Sequence, residues 1–244
     1  QNLFTSPIKK SIMKKCIFLP FILIFSSACL WGQVFIGPKM GMTLSNYGLT
    51  TSDKDNYNSN LNFGLLGGAT LEIPFSSTFS MQAEVYFSQK GTILNRNDNA
   101  DTTLFPYKCI HEKLNYIELP LLFRYRFQGR PMGGFITAGS AIGRALGGKR
   151  ILGSKESALE KDKTNIEIGT GSTHDYKPFD IGLVIGGGLS YEIEVGELIF
   201  DARYVIGATR KGNIGNDVKN PYHQGNSTNR SLQLSLGIIF PIGG

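Results

Sequence analysis

The sequence predicts an all-β fold: an eight-stranded antiparallel up-and-down transmembrane β-barrel with four long extracellular loops and three short periplasmic turns. Three observations predict it. Eight segments alternate apolar and polar residues, as strands do when successive side chains point to opposite faces. The connections between them alternate strictly between long and short, the asymmetry of outer-membrane barrels. The chain also opens on an export signal, after which no apolar run is long enough for a spanning helix, which needs about 20 residues. A barrel escapes that test because its strands are apolar only at every second position.

The signal occupies residues 1–32. Lys9, Lys10, Lys14 and Lys15 form a positive stretch, CIFLPFILIF (16–25) an apolar one, and Ser26, Ser27, Ala28 and Gly32 supply small residues. This is the order of a cleaved secretory signal, with Met13 a candidate start and cleavage after Gly32 leaving a mature barrel domain over 33–244. Two other readings stand beside it. One is a membrane anchor, for which the run is short and contains Pro20. The other is a lipoprotein acylated on Cys29, where Ser26 replaces the Leu-like residue such sites prefer. The whole chain has 25 Lys+Arg and 19 Asp+Glu. Four of those lysines and none of the acids fall in 1–32, so the remainder is nearly neutral. No basic cluster with interleaved aromatics points to nucleic acid. Cys109 is left by itself, which excludes an internal disulfide framework and leaves open an inert or a reactive thiol.

The strands follow in order. The first, 34–46, sets Ile36, Met40, Met42 and Leu44 against Lys39, Thr43 and Ser45. The second, 61–74, sets Phe63, Leu65, Ala69, Leu71 and Ile73 against Asn62, Thr70 and Glu72. The third, 79–91, opposes Phe79, Met81, Ala83, Val85 and Phe87 to Ser80, Gln82, Glu84, Tyr86 and Ser88. The fourth, 114–127, is the clearest: Ile117, Leu119, Leu121, Phe123, Tyr125 and Phe127 on one face, Glu118, Arg124 and Arg126 on the other. The fifth, 133–146, is Gly/Ala-rich and its faces resist assignment. The sixth, 179–193, sets Ile181, Leu183, Ile185, Leu189 and Tyr191 against Asp180, Ser190 and Glu192. The seventh, 197–209, opposes Phe200, Ala202, Tyr204 and Ile206 to Asp201 and Arg203. The eighth, 229–240, opposes Leu232, Leu234, Leu236, Ile238 and Phe240 to Ser231, Gln233 and Ser235. Long connections are expected at 47–60, 92–112, 147–177 and 210–228, and short turns at 76–78, 129–132 and 194–196. The long ones are rich in Asn, Asp, Gly and Lys, as solvated loops are. SKESALEKDK (154–163) has the composition of a short helix.

With the apolar face toward lipid, Lys39, Glu72, Glu84, Glu118, Arg124, Arg126, Asp201 and Arg203 line the interior. Eight strands leave a lumen only wide enough for side chains to fill. A paired polar network is therefore expected, because an unpaired buried charge is costly; a narrow conducting path is the alternative. Gly182, Gly186 and Gly188 on the inward face make room for larger neighbours or ease curvature. Outward aromatics fall into two sets, Phe79, Phe127, Tyr191 and Phe240 near the short turns and Phe63, Phe87 and Phe179 near the long loops. These are the girdles expected at two membrane interfaces. A soluble barrel with its apolar face inward shares the periodicity. The signal, strand length, loop alternation and charged faces favour the membrane.

No catalytic, metal-binding or cofactor-binding residue is expected. The histidines His111, His174 and His223 are all expected in long loops. HEKLN at 111–115 begins like a zinc-protease motif but has Asn115 where the second His belongs. There is no GxSxG and no phosphate-binding glycine loop, and the glycines at 186–188 lie inside a strand.

YIELP at 116–120, AEVYFSQKG at 83–91, FDIGLVIGGGLSYEI at 179–193, DARYVIG at 201–207 and NRSLQLSLGIIF at 229–240 resemble the PorT-like outer-membrane β-barrel family of Bacteroidetes. YIELP followed by an aromatic and basic strand is the most specific of these. The likeness covers essentially all of 33–244. It implies an outer-membrane location, lipid and lipopolysaccharide as surroundings, and no catalytic residue. Because the family's namesake serves type IX secretion, it also implies partners in that machinery, which exports surface proteases and adhesins. A surface adhesin or envelope-structural barrel and a small-solute channel are the other functions the fold allows.

Overall fold

The computed structural model describes residues 33–49, 54, 56–100, 107–127, 129–153, 161–169, 176–208 and 228–243. The expected signal at 1–32 lies outside them, as do most of 210–228, His174 and His223. The strands are β1 (Val34–Gly48), β2 (Tyr57–Asn60), β3 (Asn62–Pro74), β4 (Phe79–Arg96), β5 (Cys109–Phe127), β6 (Met132–Gly153), β7 (Lys161–Ile166), β8 (Phe179–Ile193), β9 (Gly196–Gly207) and β10 (Thr228–Ile242). Eight of them close a ring in the order β4, β3, β1, β10, β9, β8, β6, β5, back to β4, and every ladder is antiparallel. Closure leaves no edge in the ring and pairs its backbone groups between strands. β1 and β10 pair from Val34 opposite Ile242 to Gly48 opposite Thr228, which puts the start of β1 and the end of β10 on the short-turn side.

The inside-out character is plain in the burial. On β5, even-numbered residues from Ile110 to Arg124 are buried, while Ile117, Leu119, Leu121, Phe123, Tyr125 and Phe127 are exposed. The same holds around the ring, where Leu65, Val85, Ile136, Leu183, Ile185 and Leu236 all point outward. A face this apolar is not left in water by a monomeric soluble protein, whose exposed patches rarely exceed a few hundred Å².

Several expected boundaries are corrected. The connections placed at 92–112 and 147–177 begin or end in strand: β4 runs on to Arg96, β5 starts at Cys109, β6 continues to Gly153, and β7 pairs with its far end. Likewise β2 continues the line of β3 and pairs with the far end of β4. These extensions make a sheet of β2, β4, β5, β6 and β7 beyond the apolar band. Outward positions there are mostly polar, including Gln89, Asn95, Lys113 and Asn115, so the apolar alternation that marks a strand fades although the pairing does not. Cys109 and His111 are thereby strand residues, not loop residues. Of the expected short helix at 154–163, residues 161–163 are strand and the rest lie outside the described residues.

Two irregularities shape the wall. On β6 a bulge at Leu146, where Asn115 faces Gly147 and Tyr116 faces Ala145, switches which parity points inward. Between β4 and the β2–β3 line the ladder lapses between Ser88 and Ile93. There Ser45 Oγ accepts the Gly91 N–H at 2.8 Å and Thr43 Oγ1 donates to the Gln89 carbonyl at 2.7 Å. Side chains of β1 thus satisfy backbone groups that would be costly to leave buried and unpaired.

Candidate functional site

The interior is a stack of ion-paired layers. Nearest the short turns, Glu72 of β3 accepts from Arg124 (2.6 Å) and Arg126 (2.6 Å) of β5, and Arg126 reaches on to Glu197 of β9 at 2.7 Å. Ser80 donates to Glu72 at 2.6 Å, and Arg124 donates to Gln82 at 2.7 Å. The Arg124 guanidinium also lies 4.1 Å from the Phe135 ring centre, a cation–π contact. Two carboxylates meet two guanidiniums, so the layer is neutral.

The next layer closes the lumen. Glu84 of β4 takes two hydrogen bonds from Arg203 of β9, at 2.7 and 3.0 Å. Four steps separate β4 from β9 in either direction around the ring, so this fork spans diametrically opposite walls. Lys39 of β1 bridges Glu84 at 3.1 Å and Asp201 at 3.3 Å, and Asp201 also pairs with Arg203. Thr70 and Gln82 fill the remaining acceptor positions of Glu84 Oε1, at 3.2 and 2.6 Å. Again two cations meet two anions. Arg203 is 2% exposed and Glu84 4%, so this cluster is removed from solvent on both sides. The bidentate guanidinium–carboxylate geometry and the four donors on Glu84 make such burial tolerable.

Higher up, Lys90 pairs with Glu118 at 2.8 Å, Ser88 bonds the same carboxylate, and Tyr86 links Glu118 to Gln233. Asn229 donates to Asp180 at 2.9 Å. Voids between these side chains are small: one beside Lys90 and Asp180 and another beside Lys39 and Asp201 measure about 10 Å³ each, room for one water at most. At the far end Arg150 of β6 bonds Glu112 of β5 at 2.6 Å, and the Tyr176 hydroxyl donates to Glu112 and meets Tyr47 at 3.3 Å. Burial, reinforced by the Glu112 charge, pushes the Tyr176 hydroxyl well above its ordinary pKa, so it remains a donor. At the opposite mouth, outside the lowest layer, a cavity of about 540 Å³ opens between the short turns, lined by Arg126, Arg130, Gly133, Glu192 and Glu197.

The structure therefore brings Glu72, Arg124 and Arg126 into one cluster and Lys39, Glu84, Asp201 and Arg203 into another, with Glu118 in a third. Sequence reasoning missed Lys90 and Glu197, although both have the inward parity of their strands. It also missed Glu112 and Arg150. Glu112 lay beyond the expected strand end, and the bulge at Leu146 hid Arg150 by reversing the parity of β6. At Gly188 a Cβ would stand 2.0 Å from the Phe200 carbonyl oxygen of β9 and 2.6 Å from the Phe135 ring, the ring against which Arg124 packs.

On the outer surface, Phe79, Phe127, Tyr191 and Phe240 are exposed toward the short turns and Phe63, Phe87 and Phe179 toward the other end. Phe79, Tyr125 and Phe127 pack edge to face, with ring centres 5.0 and 5.2 Å apart. Among the described residues no cluster of His, Cys, Asp and Glu is arranged to hold a metal ion.

The model of one protein family, described as outer membrane protein beta-barrel domain, matches residues 27–209. Among solved structures, a major outer membrane protein from Thermus thermophilus is 12% identical, with 87% of this chain and 100% of that one covered and a TM-score of 0.49. OprG from Pseudomonas aeruginosa is 10% identical over 87% of this chain and 97% of its own, with a TM-score of 0.45. Neisserial surface protein A is 13% identical over 87% and 100%, with a TM-score of 0.41. No curated protein matches the chain.

Proposed function

The chain belongs to the outer membrane protein β-barrel domain family, and from that premise we propose that it is a plugged, non-enzymatic barrel that acts by presenting its surfaces to partners. It resides in the outer membrane. The observation that carries the proposal is the Glu84–Arg203 fork, a buried ion pair between opposite walls with charged layers above and below it. A lumen crossed in this way gives solutes no continuous path, so function falls to the surfaces at either end. Export through a cleaved signal over 1–32, leaving the barrel domain 33–244, is part of this reading. In planar bilayers the purified chain is expected to show no steady conductance. Steady single-channel steps in the wild type would overturn the plugged reading and favour a small-solute channel.

The partner class we favour is the type IX secretion machinery, and the support for it is the resemblance of YIELP, AEVYFSQKG and the final strands to the PorT-like family. Deleting the gene is expected to trap surface proteases and adhesins inside the cell; normal export in the deletion strain would sink this assignment. The sheet extension of β2, β4, β5, β6 and β7 favours a second reading, an adhesin or envelope-structural barrel. Under it, replacing 147–177 with a short turn abolishes attachment and spares secretion.

A further inference from the structure

Just beyond the apolar band, the outward face of β5, β6 and β7 gathers cations that have no counter-charge among the described residues. Lys113 of β5 stands directly opposite Lys149 of β6. Lys149 in turn faces Asn165 of β7, which puts Lys163, opposite Ile151, on its diagonal. Like charges directly opposed on a sheet face destabilise the pairing. Lower on β6, Arg144 points outward between Ile117 and Phe179, at the boundary of the apolar band. Lys149, Lys163 and Arg144 are exposed and Lys113 half-buried, and none has an ion-pair partner among the described residues.

Among the side chains the structure describes, the nearby acids do not neutralise them. Glu112 points inward and is held by Arg150 and Tyr176. Glu167, just past the end of β7, is exposed but already has a partner of its own. His111, also on this face, is bonded to Asn62 at 2.7 Å. An imidazole, neutral or protonated, carries no negative charge, so it offsets none of these cations.

We propose that Lys113, Lys149, Lys163 and Arg144 bind the phosphates of an outer-leaflet glycolipid headgroup. The inference rests on reading the apolar band as lipid-facing and adds a specific ligand at its rim. Basic side chains placed just outside the hydrocarbon region sit where anionic headgroups lie, and phosphate accepts several of their hydrogen bonds at once. The spacing selects the kind of lipid. Five residues along β6 separate Arg144 from Lys149, roughly 16 Å at a strand's rise, less a little for the bulge. Two phosphate positions on one headgroup fill both ends, whereas a lipid with a single phosphate reaches one.

The test uses the full chain reconstituted in phosphatidylcholine vesicles doped with bisphosphorylated lipid A. Retained lipid is counted by native mass spectrometry after extraction. Parallel arms carry dephosphorylated lipid A or phosphatidylglycerol. Wild type is expected to retain lipid A at least about tenfold over either control, and Lys113→Gln/Lys149→Gln/Lys163→Gln to lose that excess. The corresponding triple Lys→Arg variant should keep it, which separates charge from folding damage. Equal retention by wild type and the Gln variant, or of lipid A and phosphatidylglycerol, overturns the proposal. Displacement of lipid A by millimolar inorganic phosphate overturns the two-point headgroup mode. Flotation of the chain with control vesicles is scored separately: failure there defeats the lipid-facing reading itself.

Discussion

Glu84→Ala is expected to destabilise the folded barrel by about 3–5 kcal/mol, the range for removing one partner of a buried ion pair. The loss is large because Glu84 serves four groups at once: Arg203, Lys39, Thr70 and Gln82 all donate to it. Without it, Arg203 and Lys39 share the single carboxylate of Asp201, and the layer carries a net positive charge away from water. Removing both ends of the fork, Glu84→Ala with Arg203→Ala, leaves Lys39 and Asp201 as a neutral pair. The double variant should therefore be more stable than the sum of its single changes predicts. Urea unfolding in lipid vesicles, followed by heat-modifiable mobility, measures all three variants. A loss within about 1 kcal/mol for Glu84→Ala, or strict additivity in the cycle, would show that the layer is not energetically coupled.

Leu121→Arg is expected to cost about 2–4 kcal/mol, the penalty for a cation on the lipid face near the midplane. Leu121 points outward between Ala83 and Ser140, midway along the apolar part of β5, with no carboxylate across from it on either neighbour. The matching change Leu61→Arg, just before β3 and beyond Phe63, should cost about 0–1 kcal/mol, because there the side chain reaches water. The difference between the two is the measurement. Equal costs would mean that the outward face does not see a depth-dependent apolar medium, and a soluble or oligomer-buried barrel would replace the membrane one.

Much of this was readable from the residues in order. The run Ile117, Leu119, Leu121, Phe123, Tyr125 and Phe127 against Glu118, Arg124 and Arg126 defines a two-faced strand, because a strand has a period of two and nothing else in the fold needs to be known. Repeating it with alternating long and short connections defines an up-and-down barrel. The readings weaken wherever one face stops being apolar. Residues 92–96, 109–113 and 147–153 are strand, yet their alternation is broken. The outward side there meets water, while the inward side mixes buried Leu94 and Ile110 with the charge of Glu112. The Gly/Ala-rich β6 adds a bulge, and a single inserted residue reverses every side chain beyond it.

What the sequence determined alone is the closed β-architecture and the division of each strand into an apolar and a charged face. The faces follow from local periodicity, and the barrel from that periodicity together with the alternating long and short connections. Only the tertiary structure decided which charges meet. Glu84 and Arg203 are 119 residues apart, Glu72 and Arg124 are 52 apart, and Arg126 and Glu197 are 71 apart. No spacing rule joins such positions. They meet because ring closure and register bring β3, β4, β5 and β9 to the same height, and because a narrow lumen makes it costly to leave a buried charge unpaired.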